Sequence, residues 1–202
     1  MSAEPYPDVQ HTTDADIIAR SREAPEAFAE LFDRYADDIH RYTARRLGSE
    51  AADDLVADTF VLAFRRRGSY ESAREHARPW LYGIATNLIR QRRRAEARRW
   101  RAIQRTASAG ADTGELDERV TERVSAASVR GRLAGALAAL PARHRDVLLA
   151  VAWGGMDYAE VAEALGIPVG TVRSRLHRAR VKVRAELGET DPTAVNEEDH
   201  HG

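Results

Sequence analysis

Residues 157–187 read DYAEVAEALGIPVGTVRSRLHRARVKVRAEL. Two helical periods are broken there by Gly166, Ile167 and Pro168. Val161, Ala162 and Leu165 fall on one face of a first helix, and Gly166 is placed to end it in the left-handed conformation. Val172, Leu176, Ala179 and Val183 then recur at spacings of 4, 3 and 4 on a second helix. Between them stand Arg173, Arg175, Arg178, Arg180, Lys182 and Arg184, with no acid. An ordinary solvated face mixes signs. A short helix, a tight turn and a second helix that is apolar inside and cationic outside describe a helix-turn-helix. Its outer face suits a major groove, with cations on phosphates and a few side chains on base edges.

Around this element the chain has 202 residues, enough for one large domain or two small ones. Its net charge of −1 would argue against a nucleic-acid partner, but the charge is segregated. Arg65 to Arg105 holds thirteen arginines and three acids. Thr106 to Ser128 holds five acids against Arg119 and Arg123. Such blocks point to two cationic working surfaces joined by an acidic tether. Cysteine is absent, which excludes disulfides and thiolate metal sites. With no apolar signal core and no run of membrane length, the expectation is a cytoplasmic protein without direct membrane insertion.

Residues 1–13 are polar, carry Pro5 and Pro7, and read as a disordered N-terminus. Asp14 is placed to cap a short helix through about Arg22. Pro25 opens a long amphipathic helix carrying Phe28, Leu31, Phe32, Tyr35, Ile39 and Tyr42, ended by Gly48. Ser49 is the expected cap of the next helix, which runs to about Arg67 on Leu55, Val56, Phe60, Ala63 and Phe64. Gly68 to Arg78 reads as a loop. After Pro79, the doublets Trp80/Leu81, Ile84/Ala85 and Leu88/Ile89 make a core stripe that runs into the arginine block. Residues 106–126 read as an acidic linker, and residues 127–188 as a second helical unit built on Leu133, Ala136, Leu137, Leu140, Val147 and Leu148. Residues 189–202 read as an acidic tail. The expected fold is all-α, two small helical domains on a flexible linker.

These residues resemble the RNA polymerase sigma factors of the extracytoplasmic-function type, which belong to the sigma-70 family and keep only regions 2 and 4. LPARHRDVLLAV followed by DYAEVAEALGIPVGTVRSRLHRAR is similar to region 4. AADDLVADTFVLAFRR resembles the polymerase-binding segment of region 2, and PWLYGIATNLIRQRRR resembles the segment that melts and reads the −10 element. Ala57, Asp58 and Gln91 depart from residues common at those places. The resemblance implies region 2 over residues 14–105 and region 4 over residues 127–188. It implies a non-enzymatic subunit that directs core polymerase to promoters and supports initiation. The alternative is a stand-alone helix-turn-helix regulator acting without polymerase.

The resemblance also implies roles. The helix segment with Asp53, Asp54, Leu55, Asp58, Thr59 and Phe60 would dock on the clamp helices of the β′ subunit, its carboxylates meeting basic residues there while Leu55, Val56 and Phe60 mostly hold the fold. Tyr70, Trp80, Asn87, Arg90, Gln91, Arg93 and Arg94 would serve the −10 element, with Tyr70 as a wall of the base pocket in the 69–78 loop. For Trp80 core packing is the stronger reading, because it lies on the Leu81/Ile84 stripe. Tyr82 reads equally as a stacking platform or as a surface residue. Thr171, Arg173, Ser174, Arg175, His177 and Arg178 would meet the −35 duplex. Arg173 and Arg178 are nearest the bases, and Arg175, Arg180 and Arg184 nearest the phosphates. The β flap and an anti-sigma factor are further implied partners. No cofactor and no metal are expected, since Asp53, Asp54 and Asp58 lack the neighbours that complete a shell.

Overall fold

The computed structural model describes residues 12–110, apart from Ser72 and Glu75, and residues 129–188. Thr13 opens the first helix, α1 (Asp14–Arg20). Its hydroxyl accepts the Asp16 N–H at 3.2 Å while the Asp16 carboxylate accepts the Thr13 N–H, a reciprocal cap that satisfies two open donors. The hydrogen bonds from Thr13 hold the Asp16 carboxyl below its usual value. The cap therefore sits one residue earlier than expected, and Asp14 is buried instead.

A 3-10 turn at Pro25–Phe28 leads into α2 (Ala29–Leu47), and Pro25 takes a first-turn position where its missing N–H is harmless. Gly48, at φ 89°, breaks the chain between α2 and α3 (Ser49–Arg66). Ser49 was expected to cap α3. It is the first helical residue, Gly48 holds the cap position, and no side-chain cap bond forms. A second 3-10 turn, Arg67–Ser69, precedes α4 (Arg78–Gly110).

The core of the first unit is built on Ile17, Ile18, Leu31, Ile39, Leu81 and Ile89, all fully buried. Each such side chain contributes about 1.5–3 kcal/mol on leaving water. The doublets on α4 predicted a stripe, yet every residue from Leu81 to Thr86 is buried. The polar groups on this part of α4 are met by α2. Tyr42 packs its ring 4.9 Å from Tyr82, and its hydroxyl lies 3.0 Å from Thr86 Oγ1 and accepts from Arg46 Nη1 at 2.7 Å. Tyr82 is thus a core residue and no stacking platform.

The second helical domain holds α5 (Val129–Ala139), α6 (Ala142–Ala152), α7 (Tyr158–Leu165) and α8 (Val169–Leu187). Arg145 closes the C-terminal end of α5. Its Nε donates to Leu137 O at 2.7 Å, and its Nη2 donates to Ala138 O and Leu140 O at 2.8 Å. Lys182 adds a bond to Ala139 O at 2.8 Å. Cations at a helix C-terminus also oppose its dipole.

The chain divides into two compact units, with the division after Arg90 inside α4. Residues 106–110 of the expected linker continue α4. The rest of that linker, residues 111–126, lies outside the described residues, as do residues 1–11 and the expected tail 189–202. All eight helices belong to the described residues, and none of them is long and apolar enough to cross a membrane.

Candidate nucleic-acid interface

Asp157 caps α7 through its carboxylate. Gly166 ends that helix at φ 62°, ψ 43°, where a residue with a Cβ is strained, and the Ile167 N–H returns to Ala162 O at 2.9 Å. Pro168 then caps α8, its carbonyl accepting the Thr171 N–H at 2.8 Å and the Val172 N–H at 3.1 Å. Val172, Leu176, Ala179, Val183 and Leu187 are buried, so the inner stripe of α8 is the one read from the spacing. Arg173, Ser174, His177, Arg178 and Arg184 are exposed, while Thr171, Arg175 and Arg180 are half-buried. Ser174 Oγ donates to Thr171 O at 3.1 Å, and Lys182 is engaged with α5 as described.

His144, in the first turn of α6, has no ligand spacing in the sequence, which leaves its burial unread. It is buried, and its pKa is lowered, first by burial and then by Arg143, Arg178, Arg175 and Lys182. The signal was available: His144, Val147 and Leu148 share one helix face at spacings of 3 and 1.

In the first unit, Asp53, Asp54 and Asp58 of α3 are exposed, and Asp53 lies 3.2 Å from His40 Nε2. Val61, exposed at 49%, shares the face of Asp54 and Asp58, and on α2 Phe32 is exposed at 44%. The Phe32 ring packs edge-on against Phe60 with centroids 4.9 Å apart. On α4, which passes into the second unit after Arg90, Asn87, Gln91 and Arg94 are exposed and follow one another at spacings of 4 and 3. Arg90 and Arg93 are half-buried, and Arg90 Nη1 donates to Asn87 Oδ1 at 3.3 Å. Further along, Trp100 stands 66% exposed among Arg98, Arg99 and Arg101.

Residues 31–99 match the family model of Sigma-70 region 2, and residues 130–183 match that of Sigma-70, region 4. The ECF RNA polymerase sigma factor SigL of Mycobacterium tuberculosis is 35% identical over 164 residues, which span 81% of this chain and 90% of SigL. This chain belongs to the ECF sigma factors. SigW of Bacillus subtilis, another ECF RNA polymerase sigma factor, is 31% identical over 172 residues, 80% of this chain and 89% of SigW. Among solved structures, CnrH in complex with the cytosolic domain of CnrY matches with a TM-score of 0.60 at 27% identity, covering 86% of this chain and 96% of that one. The protein is an RNA polymerase sigma factor and not an enzyme. A stand-alone regulator is set aside, because a sigma region 2 accounts for the first unit.

Three of the residues expected to dock this sigma factor on polymerase are interior. Leu55, Thr59 and Phe60 are buried, and Thr59 Oγ1 donates to Leu55 O at 2.6 Å. Their spacing turns them to the core face of α3, the place expected for Leu55 and Phe60 as residues that hold the fold. Tyr70 also departs from expectation. It is 6% exposed, its ring packs 5.0 Å from that of half-buried Trp80, and its hydroxyl donates to Arg74 O at 2.8 Å. With little surface free for a base, Tyr70 supports the loop from within. The sequence reading missed the apolar surface of Phe32 and Val61. Val61 follows Asp54 and Asp58 at spacings of 4 and 3, which puts it on their face.

Proposed function

We propose that this sigma factor works through three surfaces. The exposed acids Asp53, Asp54 and Asp58, with Val61 on their face and Phe32 exposed on the neighbouring α2, dock on the clamp helices of the β′ subunit. Opposite charge sets encounter rate and register, and the apolar side chains add burial. The 69–78 loop and the exposed residues Asn87, Gln91 and Arg94 take the single-stranded −10 element, with half-buried Arg90 and Arg93 nearer to phosphates. The outer face of α8 takes the −35 duplex through Thr171, Arg173, Ser174, Arg175, His177 and Arg178.

On this reading residues 14–105 act as region 2 and residues 127–188 as region 4, and residues 106–126 tether them. The tether makes the second DNA contact effectively intramolecular once the first is made. The β flap is the partner of region 4. An anti-sigma factor is a further partner, in keeping with CnrH, which was solved with the cytosolic domain of CnrY.

The observation that supports this best is the division of α8. Val172, Leu176, Ala179, Val183 and Leu187 are spent on its own domain, and the charged side chains on its outer positions from Thr171 to Arg184 are cations without an acid. The test is transcription in vitro with purified core polymerase across a genomic promoter library. Promoter-specific transcripts are expected, lost with Arg173→Ala and Arg178→Ala together. No transcripts above core alone would overturn the reading.

A further inference from the structure

Asp14 is 1% exposed and accepts hydrogen bonds from three directions. Its Oδ1 pairs with Arg34 of α2. Its Oδ2 accepts the Tyr35 hydroxyl at 2.6 Å and the backbone N–H of Ala77, also at 2.6 Å. Ala77 immediately precedes α4, at the far end of the loop assigned above to the −10 strand. Burial, with the bond to Asp14, pushes the Tyr35 hydroxyl well above the ordinary tyrosine value, so it stays a donor.

The near end of the loop is held by the residues that follow α1. Arg67 Nε donates to Ser21 O at 3.1 Å. Arg22 Nη2 lies 3.4 Å from both Arg67 O and Tyr70 O. Within the loop, Tyr70 bonds Arg74 O and packs on Trp80. A segment of nine residues, Asp14 to Arg22, thus ties down both ends of the loop. That segment lies ahead of residues 31–99, which match region 2.

From this geometry we infer that the Asp14–Arg22 segment is a brace for base capture, with Asp14 as a positioning residue for the −10 strand. The inference rests on the −10 reading of the 69–78 loop. Reading a base requires its pocket to be held to about half an ångström. Holding a loop to that tolerance requires that its ends be fixed. A buried carboxylate does so strongly, because charge-assisted bonds are about twice as strong as neutral ones and a replacement leaves buried partners unpaired.

A merely structural role for α1 would lower the folded fraction and leave base choice intact. The readout is therefore a ratio. Holoenzyme is assembled from the full chain and core polymerase. Its affinity is measured for a single-stranded −10 oligonucleotide from a promoter that it transcribes, and for the same strand with one base changed. Asp14→Asn is expected to lower this selectivity by about fivefold or more, the size of one base-edge interaction, with core affinity unchanged. Arg22→Ala, at an exposed position, is expected to lower it in the same direction. Unchanged selectivity in both variants overturns the brace, and where Asp14→Asn does not fold Arg22→Ala alone decides. A third protein, with residues 71–76 replaced by glycine and serine, separates the two claims. If its selectivity matches wild type, the −10 reading of the loop fails and the brace fails with it. If its selectivity is lost while both point variants keep theirs, the brace alone is wrong.

Discussion

Asp157 and Glu160 cap one another across the first turn of α7. Asp157 Oδ1 accepts the Glu160 N–H at 2.8 Å, and Glu160 Oε2 accepts the Asp157 N–H at 2.9 Å. A helix of eight residues is too short to stand alone, so its caps and its packing must hold it. Asp157→Ala should cost about 1 kcal/mol, and Asp157→Ser should recover most of it. Denaturant unfolding of the full chain, followed by circular dichroism, measures both. Base preference at the −35 element should not change, because the side chains assigned to it sit on α8.

The acid face of α3 should behave as an encounter surface. Asp58→Arg replaces an exposed side chain and should leave the fold intact. Its affinity for core polymerase should fall by about tenfold or more, through association rate, and the loss should shrink as salt rises. Phe32→Ala should weaken the complex with little dependence on salt, since it removes apolar area. Thr59→Ala serves as the contrast. It deletes a buried hydroxyl and should cost stability while each folded molecule binds normally. Competition against a labelled sigma factor at two salt concentrations separates the three.

The helix-turn-helix was legible because every local signal agrees: two apolar periods, a glycine at the left-handed stop and a proline at the next cap. The interior of α3 was legible too, but the docking residues were first named by motif, and a motif does not say which face a side chain takes. Buried positions 52, 55, 56, 59, 60 and 63 make one helical stripe, and Asp54, Asp58 and Val61 make the opposite one. Asp14 could not be read at all. An aspartate at a helix start is the usual sign of a cap, and its decisive partner, Ala77, lies 63 residues away. Tyr70 failed for a similar reason, since only the folded loop brings Trp80 across its ring.

The two arginine classes on α8 should separate by experiment. Arg173→Ala should cost about 1–3 kcal/mol on the cognate −35 element and relax choice at a single base pair. Arg184→Ala should weaken all sequences alike and lower the salt slope by about 0.9 for each phosphate that the side chain no longer neutralises. Titrations of holoenzyme with cognate and base-substituted duplexes at several salt concentrations show which pattern each variant follows. A uniform loss for Arg173→Ala would move it to the phosphate class.

His144 makes the second unit sensitive to acid. Its pKa lies below the ordinary histidine value of 6.5, because burial and the cations of Arg143, Arg178, Arg175 and Lys182 disfavour the imidazolium. Above pH 6.5 the imidazole is neutral in both the folded and the unfolded chain, and the shift costs nothing. As the pH falls through 6.5, the unfolded chain takes up a proton that the folded unit resists, so stability declines until the lower folded pKa is passed. His144→Gln should flatten this part of the stability–pH curve relative to wild type, leaving carboxylate titration at lower pH in place. DNA phosphates on Arg175 and Arg178 would offset part of the cationic field and move the pKa of His144 back up. Binding of −35 duplex should then strengthen relative to the Gln variant as the pH falls through the same window. Unfolding curves and duplex titrations from pH 8 downward, on wild type and variant side by side, check both signs.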